Sequence, residues 1–342
     1  MLNKKLLIFL SFIVIVFGLL IYQVRLQPKA VPDSNSPKPI QVNPLQISQM
    51  RARSYQGSDL IIEETLTSGE NYKQYIASYK SDGLKIYGLL TVPTGVMPES
   101  GWPAIIFNHG YIPPAQYKTT ERYVAYVDGF AREGFVVFKP DYRGNGNSEG
   151  ISEGAYYSPA YTIDVLNALA SVKRYKDVDP GKIGMWGHSM GGNITLRAMV
   201  ISSDIKAGVI WAGVVGTYDE LLNKWHGIRP TTFSNQEIAG HISSIKQNLI
   251  LKYGTPSSNP SFWQSIDPRF FLKDISGPLQ LHQGLADAEV PFLFSEGLKN
   301  DLEKQGKTVE LYTYNGADHN ISGPSFNLAM QRSIDFFNKY LK

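Results

Sequence analysis

The run Gly187-His188-Ser189-Met190-Gly191-Gly192 constrains this chain more than any other. It follows the apolar run Ile183–Trp186 and precedes a helical pattern from Met190 to Ser202, so a G-x-S-x-G sequence falls between a strand and a helix. A turn this tight forces its serine into a strained backbone conformation, and only small residues two positions to either side let the neighbouring backbone pass. The strain is expected to push Ser189 Oγ into the open as a nucleophile. The helix that follows aims its N-terminal dipole and the Met190 N–H at any oxyanion formed there. A Gly-rich turn with an incidental serine is the alternative, and the strand–turn–helix context argues against it.

Around this turn, strand and helix signals alternate. Tyr75–Tyr79 and Leu84–Val92 are joined by Ser81-Asp82-Gly83, a hairpin signature. Ala104–Phe107, Phe135–Phe138, Ile183–Trp186, Ala207–Trp211, Leu279–Leu281 and Val309–Tyr314 are short continuous apolar runs, the pattern of strands covered on both faces. Helical spacing fills Ala160–Tyr175 and Met190–Ser202. The order predicts an α/β fold with a mainly parallel, doubly covered sheet and ligands at the carboxyl ends of its strands. The alternation breaks over residues 217–266, which reads as a small helical cap inserted over the sheet. Its aromatics Tyr218, Trp225, Phe233, Phe262 and Trp263 could line an apolar pocket or simply form core.

The domain is expected to span residues 51–342. Ahead of it, Leu6–Val24 is almost wholly apolar and about as long as the ~20 residues that cross a bilayer as a helix. Residues 1–26 are therefore expected to form an uncleaved membrane anchor, with a secretory signal as the alternative; the following Tyr22-Gln23-Val24-Arg25 offers no small-x-small cleavage site. Residues 27–50, rich in Pro, Ser and Asn, read as a semi-stiff linker. Arg25 and Lys29 after the apolar run offset Lys4 and Lys5 before it, but the order of a short basic start followed by a long domain favours a catalytic domain outside the cytoplasm, either membrane-attached or secreted.

The absence of cysteine excludes a thiolate nucleophile, a disulfide framework and Cys-metal sites, leaving Ser, Thr, Lys or a carboxylate for covalent chemistry. A net charge of +3 without a basic block beyond the N-terminus leaves nothing to bind a phosphate backbone. Among the six histidines, His109 and His188 sit where backbone geometry matters most, His226 and His241 in the cap, and His282 on a core strand. His319, in Asn315-Gly316-Ala317-Asp318-His319-Asn320 past the last strand, is left as the base for Ser189. Asp287, following the penultimate strand, is the expected carboxylate partner, with Glu289 and the adjacent Asp318 as rivals. Asn108-His109-Gly110-Tyr111 ends an earlier strand, so Tyr111, through its N–H or its hydroxyl, joins Met190 as the expected oxyanion pair. The loop Asp141-Tyr142-Arg143-Gly144-Asn145-Gly146-Asn147-Ser148 reads as structural packing beside the turn.

The motifs NHGY, DYRGNGNSEG, GHSMGG, GLADAEVP and YNGADHN, in this order, resemble the α/β-hydrolase superfamily. Within it, the chain from roughly Tyr72 to Lys342 is similar to the catalytic domain of the prolyl oligopeptidase family of serine peptidases and to dienelactone-hydrolase-like esterases. The resemblance implies an α/β-hydrolase fold, a Ser189–Asp287–His319 triad, and Tyr111 and Met190 at the oxyanion. Gln283 stands where the family usually has His directly before the glycine of the Asp loop, with His282 one residue earlier, which touches packing more than chemistry. The β-propeller that screens substrates in prolyl oligopeptidases has no counterpart in this sequence, so selection is expected to fall to the cap. The expected reaction is acyl transfer on a short peptide or a small ester, needing neither cofactor nor metal. A peptidase leads, an esterase is the alternative, and a silent binding module on the same fold finds no support, because every triad position is filled.

Overall fold

In a computed structural model, residues 42–225 and 236–342 are described. The anchor expected over residues 1–26, most of the linker, and the cap residues His226 and Phe233 lie outside them. Among the described residues, no helix is long and apolar enough to cross a membrane.

Among the described residues, nine strands form one sheet in the order β1-β2-β3-β5-β4-β6-β7-β8-β9. Their spans are β1 Ile61–Thr65, β2 Tyr72–Ser81, β3 Leu84–Pro93, β4 Trp102–Asn108, β5 Val136–Pro140, β6 Val178–His188, β7 Ile205–Trp211, β8 Leu279–Gly284 and β9 Val309–Tyr314. The β1–β2, β2–β3 and β3–β5 pairs are antiparallel, and every pair from β5–β4 to β8–β9 is parallel. The predicted hairpin joins β2 to β3, with Ser81 opposite Leu84 and both Asp82 and Gly83 at positive φ, the conformation an Asp-Gly turn favours. β1 was not expected: all five of its residues are exposed and it borders the sheet, so no buried face marked it in the sequence.

Apolar side chains cover both faces. One face packs Ile106, Phe138 and Met185 against the helices Ala160–Val172 and Met190–Ile201, through residues such as Leu166 and Ile194. The other packs Phe107, Trp186 and Trp211 against the helices Val124–Arg132 and Pro324–Leu341, through Phe130 and Phe337. Residues 43–50 correct the linker boundary. Leu45, Ile47 and Met50 are buried, the last two on the helix Ile47–Ala52, so their periodic apolar side chains belong to the core and the folded domain begins ahead of residue 51.

Between β7 and β8 lie the helices Tyr218–Asn223, Gln236–Tyr253 and Pro260–Ile266. Thr217 and Glu220 form a capping box on the first, and Asn259 caps the third with Pro260 in its first turn. Buried Arg197, on the helix behind the serine turn, donates to Ile266 O at 2.8 Å and Tyr218 Oη at 3.0 Å. Arg269 pairs with Glu220 at 2.9 Å and also with Asp301 on the helix Phe292–Lys304. The inserted segment is thereby tied to the elements on either side of the site.

β4 pairs with β5 on one side and β6 on the other, so the order of the chain through the sheet reverses there. In an open α/β sheet such a reversal opens a crevice beyond the carboxyl ends of the strands. Tyr111 follows β4, and Ser189 follows β6 directly.

Candidate active site

Ser189 sits at φ 54° and ψ −116°, a region L-residues avoid, at the junction of β6 and the helix Met190–Ile201. Three backbone hydrogen bonds hold it there: its N–H donates to Trp211 O at 3.0 Å, and its carbonyl accepts from Gly192 and Val214, both at 3.0 Å. The flanking glycines are needed for space. A Cβ on Gly187 would meet the Gly191 carbonyl, and one on Gly191 would collide with the Asn108 carbonyl at the end of β4. The strained conformation is therefore over-determined by the strands packed around it.

His319 and Asp287 come together on the loops after β9 and β8. His319 Nδ1 lies 2.9 Å from Asp287 Oδ2, and both side chains are almost fully buried. A carboxylate accepts only, so Nδ1 carries the proton and Nε2 is left bare. Asp287 is held from every side: Oδ1 accepts from the N–H groups of Glu289 and Val290 at 2.8 and 2.9 Å, and Oδ2 also accepts from Gln283 Nε2 at 2.9 Å. Burial works to raise its pKa, but the His319 contact and the two N–H donors outweigh it and hold the carboxyl below the ordinary value.

The rivals stand elsewhere. Asp318 accepts from the N–H and hydroxyl of Ser322, at 2.8 and 2.7 Å, and no hydrogen bond joins it to His319 Nδ1. Glu289 lies on the opposite side of the imidazole, its Oε2 3.8 Å from Nε2 and its side chain half-exposed. Its carbonyl accepts from Trp225 Nε1 at 2.7 Å, which brings an aromatic residue of the inserted segment onto the acid loop. Tyr218, Phe262 and Trp263 are instead buried in the core.

The turn after β4 closes against the serine. A Cβ at Gly110 would lie 3.3 Å from Ser189 Cβ, so the backbone leading into Tyr111 passes directly beside the nucleophile position. The Gly110 N–H is taken by Tyr123 Oη at 2.9 Å, and burial raises the Tyr111 hydroxyl pKa. Met190, the first helical residue after Ser189, is buried at the other flank. His109, behind the turn, stacks between Tyr117 and Tyr142, with centroids 4.7 and 4.3 Å away.

The other ionisable groups are structural. His282 is buried and bonded to Tyr314 Oη at 2.8 Å and Gln280 Oε1 at 2.7 Å, as a satisfied core histidine would be. His241 is exposed on the helix Gln236–Tyr253. Asp141 and Arg143 do not pair with each other. Asp141 accepts from Tyr117 Oη and Thr119 Oγ1, both at 2.6 Å, whereas Arg143 engages buried Asp164 at 2.7 Å. The loop is packing, as its composition suggested.

One contributor was read only as packing in the sequence, and another was not read at all. Gln283 is more than packing, because its amide touches the Asp287 carboxylate directly and is itself fixed by Ser295 Oγ at 2.9 Å. Its place directly before Gly284 was the available signal. Tyr123, bonded to the turn after β4 and to His188, carried none.

Residues 122–342 match the prolyl oligopeptidase family. The chain is 26% identical over 255 residues to the uncharacterized peptidase YtmA of Bacillus subtilis (strain 168), covering 73% of this chain and 87% of that protein. It is 28% identical over 258 residues to dipeptidyl peptidase 8 of Homo sapiens, covering 73% of this chain but only 26% of that longer relative. An acetyl xylan esterase from Paenibacillus sp. R4 has the same fold, with a TM-score of 0.63 at 17% identity, covering 90% of this chain and 97% of that one.

Proposed function

Because the chain belongs to the prolyl oligopeptidase family and is a serine hydrolase, we propose that it cleaves short peptides or aminoacyl amides through an acyl-enzyme on Ser189. The observation that carries this reading is the 2.9 Å contact of His319 Nδ1 with buried Asp287, on loops flanking a strained serine turn. With its proton committed to the carboxylate, the imidazole takes the Ser189 hydroxyl proton on Nε2 as Oγ attacks the carbonyl. The N–H groups of Met190 and Tyr111 receive the oxyanion. The imidazolium then protonates the leaving amine; in the second half the same imidazole takes a proton from water as it attacks the acyl carbonyl and returns that proton to Ser189 Oγ as the acid departs. Glu289 adds a half-exposed carboxylate on the reacting side of the ring, 3.8 Å from Nε2. A substrate with a cationic group near the scissile bond answers that charge, which favours a peptide with a free amine over a neutral ester.

Hydrolysis of small acyl esters is the second reading, supported by the near end-to-end fold match to an acetyl xylan esterase. In both readings the apolar Leu6–Val24 run attaches the enzyme to a membrane, with the catalytic domain outside the cytoplasm. Fluorophosphonate labelling of the full chain beside Ser189→Ala tests the nucleophile, and labelling that survives the substitution refutes it. Turnover of aminoacyl amides against short-chain p-nitrophenyl esters separates the two readings. Amide cleavage is expected; esters cleaved alone would establish the esterase.

A further inference from the structure

His188, inside the serine turn, is buried and makes two hydrogen bonds that leave the site by different routes. Its Nε2 lies 3.0 Å from the His319 carbonyl, and its Nδ1 lies 2.8 Å from Tyr123 Oη. Tyr123 Oη in turn accepts the Gly110 N–H at 2.9 Å. The direction of each bond follows from the chemistry of its ends. A carbonyl only accepts, so Nε2 carries the ring proton. The neutral ring then offers Nδ1 as an acceptor, and the Tyr123 hydroxyl donates to it while receiving the Gly110 N–H. Burial, reinforced by the electrostatic effect of neighbouring His319, lowers the His188 pKa to about 3, which keeps the ring neutral, and the His319 carbonyl at Nε2 fixes which neutral tautomer it is.

The line Gly110–Tyr123–His188–His319 therefore links three separate loops: the turn bearing Tyr111, the turn bearing Ser189, and the loop bearing the base. β4 and β6 are paired as far as Asn108 and Gly187, so the sheet already sets the first two turns side by side, whereas β9 lies three strands beyond β6 and its loop is reached by the His188–His319 bond. The backbone is strained to complete it. Arg122 and Tyr123 take φ of 58° and 55°, a left-handed pair without glycine, and this bend delivers the Tyr123 side chain to its place.

We propose that Tyr123 and His188 are positioning residues that hold the oxyanion turn, the nucleophile and the base in one register. This rests on the reading of Ser189 and His319 given above, and deepens it. Neither side chain transfers a proton to substrate. Their effect is on geometry, where a displacement of about 1 Å lowers turnover about 100-fold.

Tyr123→Phe removes the hydroxyl from both its bonds and keeps the ring. His188→Asn places an acceptor near the Nδ1 position but is too short to reach the His319 carbonyl. The measurement is kcat per site titrated with a fluorophosphonate, with KM, on a p-nitrophenyl ester, for both single variants and the double variant. Counting titrated sites removes any loss due to unfolded protein. Each single variant is expected to lose about 10- to 100-fold in kcat with KM within about 2-fold, and the double variant to lose no more than the worse single one. Single variants at parental kcat, or losses that multiply in the double variant, would overturn the bridge. Should Tyr123→Phe not fold, His188→Asn and His188→Gln decide by the same readout, since each keeps only one of the two bonds. A loss in both supports the bridge, and parental turnover in either overturns it. Ser189→Ala run alongside separates the two levels: if it retains activity, the nucleophile assignment falls and the bridge with it, whereas full activity in the bridge variants beside an inert Ser189→Ala defeats the bridge alone.

Discussion

The serine turn and the segment between β7 and β8 are close in sequence, but packing constrains them in opposite ways. At the turn, backbone meets backbone: Ser189 is hydrogen-bonded to Trp211, Gly192 and Val214, and Gly191 lies against the Asn108 carbonyl. In the inserted segment, side chains make the attachments, through Arg197, Arg269 and Trp225, and Gly240 on its longest helix has open space where a Cβ would stand. A reaction centre needs atoms held to a fraction of an ångström, which close backbone packing provides. A substrate-selecting surface needs room to differ from one relative to the next, and side-chain anchors leave the rest of the segment free to vary. On the function proposed above, chemistry falls to the first region and selection to the second.

The sharpest way to test the chemical side is Asp287→Asn. The amide keeps the shape of the side chain but no longer favours the tautomer with Nδ1 protonated, so kcat is expected to fall about 10⁴-fold with KM little changed. Steady-state kinetics on one ester substrate suffices, and a loss below about 10-fold would remove Asp287 from the mechanism.

Gly191→Ala attacks the packing itself. The added methyl meets the Asn108 carbonyl, a backbone atom that cannot rotate away. Destabilisation on the order of 4 kcal/mol or more is expected, together with loss of fluorophosphonate labelling. A thermal midpoint within a few degrees of the parent would show that the strands around the turn yield more readily than their contacts indicate.

The legibility of the molecule follows the same division. The turn, Asp287 and His319 stood out as candidates because each is a chemically distinctive residue in the loop that follows an apolar strand, where local pattern and the expected place of a site coincide. Tyr123 acts through partners set by the sheet order, and no local spacing carries that information, whereas Gln283 meets Asp287 four residues on and only its place before Gly284 hinted at it. The partner of Arg143 was likewise hidden: Asp164 lies on the following helix, while the nearby Asp141 is taken by Tyr117 and Thr119. Residues 43–50 looked like spacer because Pro44 and the polar residues masked Leu45, Ile47 and Met50, the last two of which the helix Ile47–Ala52 turns inward.

Acid should weaken the central region selectively. His109, His188 and His282 are buried in and beside the sheet, and burial above all lowers each pKa from 6.5 to about 3. The described part of the inserted segment holds only exposed His241. A histidine with a depressed folded pKa stays neutral in the native state while the unfolded chain binds a proton below about pH 6.5, so stability falls as pH drops through that value toward 3. Each ring is expected to withdraw about 2 kcal/mol between pH 7 and pH 5. Urea unfolding at the two pH values, for the parent and His282→Gln, checks this: the variant should lose less stability on acidification by about that amount. An unchanged difference would mean that the ring is solvated.

Gly240→Ala reverses the sign of the Gly191 substitution. Gly240 lies inside the helix Gln236–Tyr253, and beyond its chain neighbours and the helix's own backbone no described atom comes within 4 Å of an added Cβ. Alanine restricts the unfolded chain and suits the helix, so stability should rise by up to about 1 kcal/mol. Turnover and KM should stay at parental values, since the residue touches neither the serine turn nor the acid loop. The same chemical change, one methyl on a glycine, then abolishes one region and firms the other. Calorimetry of the two variants side by side reads the difference directly. A destabilised Gly240→Ala would show that the inserted segment is packed as closely as the turn, and the division between a rigid chemical centre and an adaptable selecting surface would be lost.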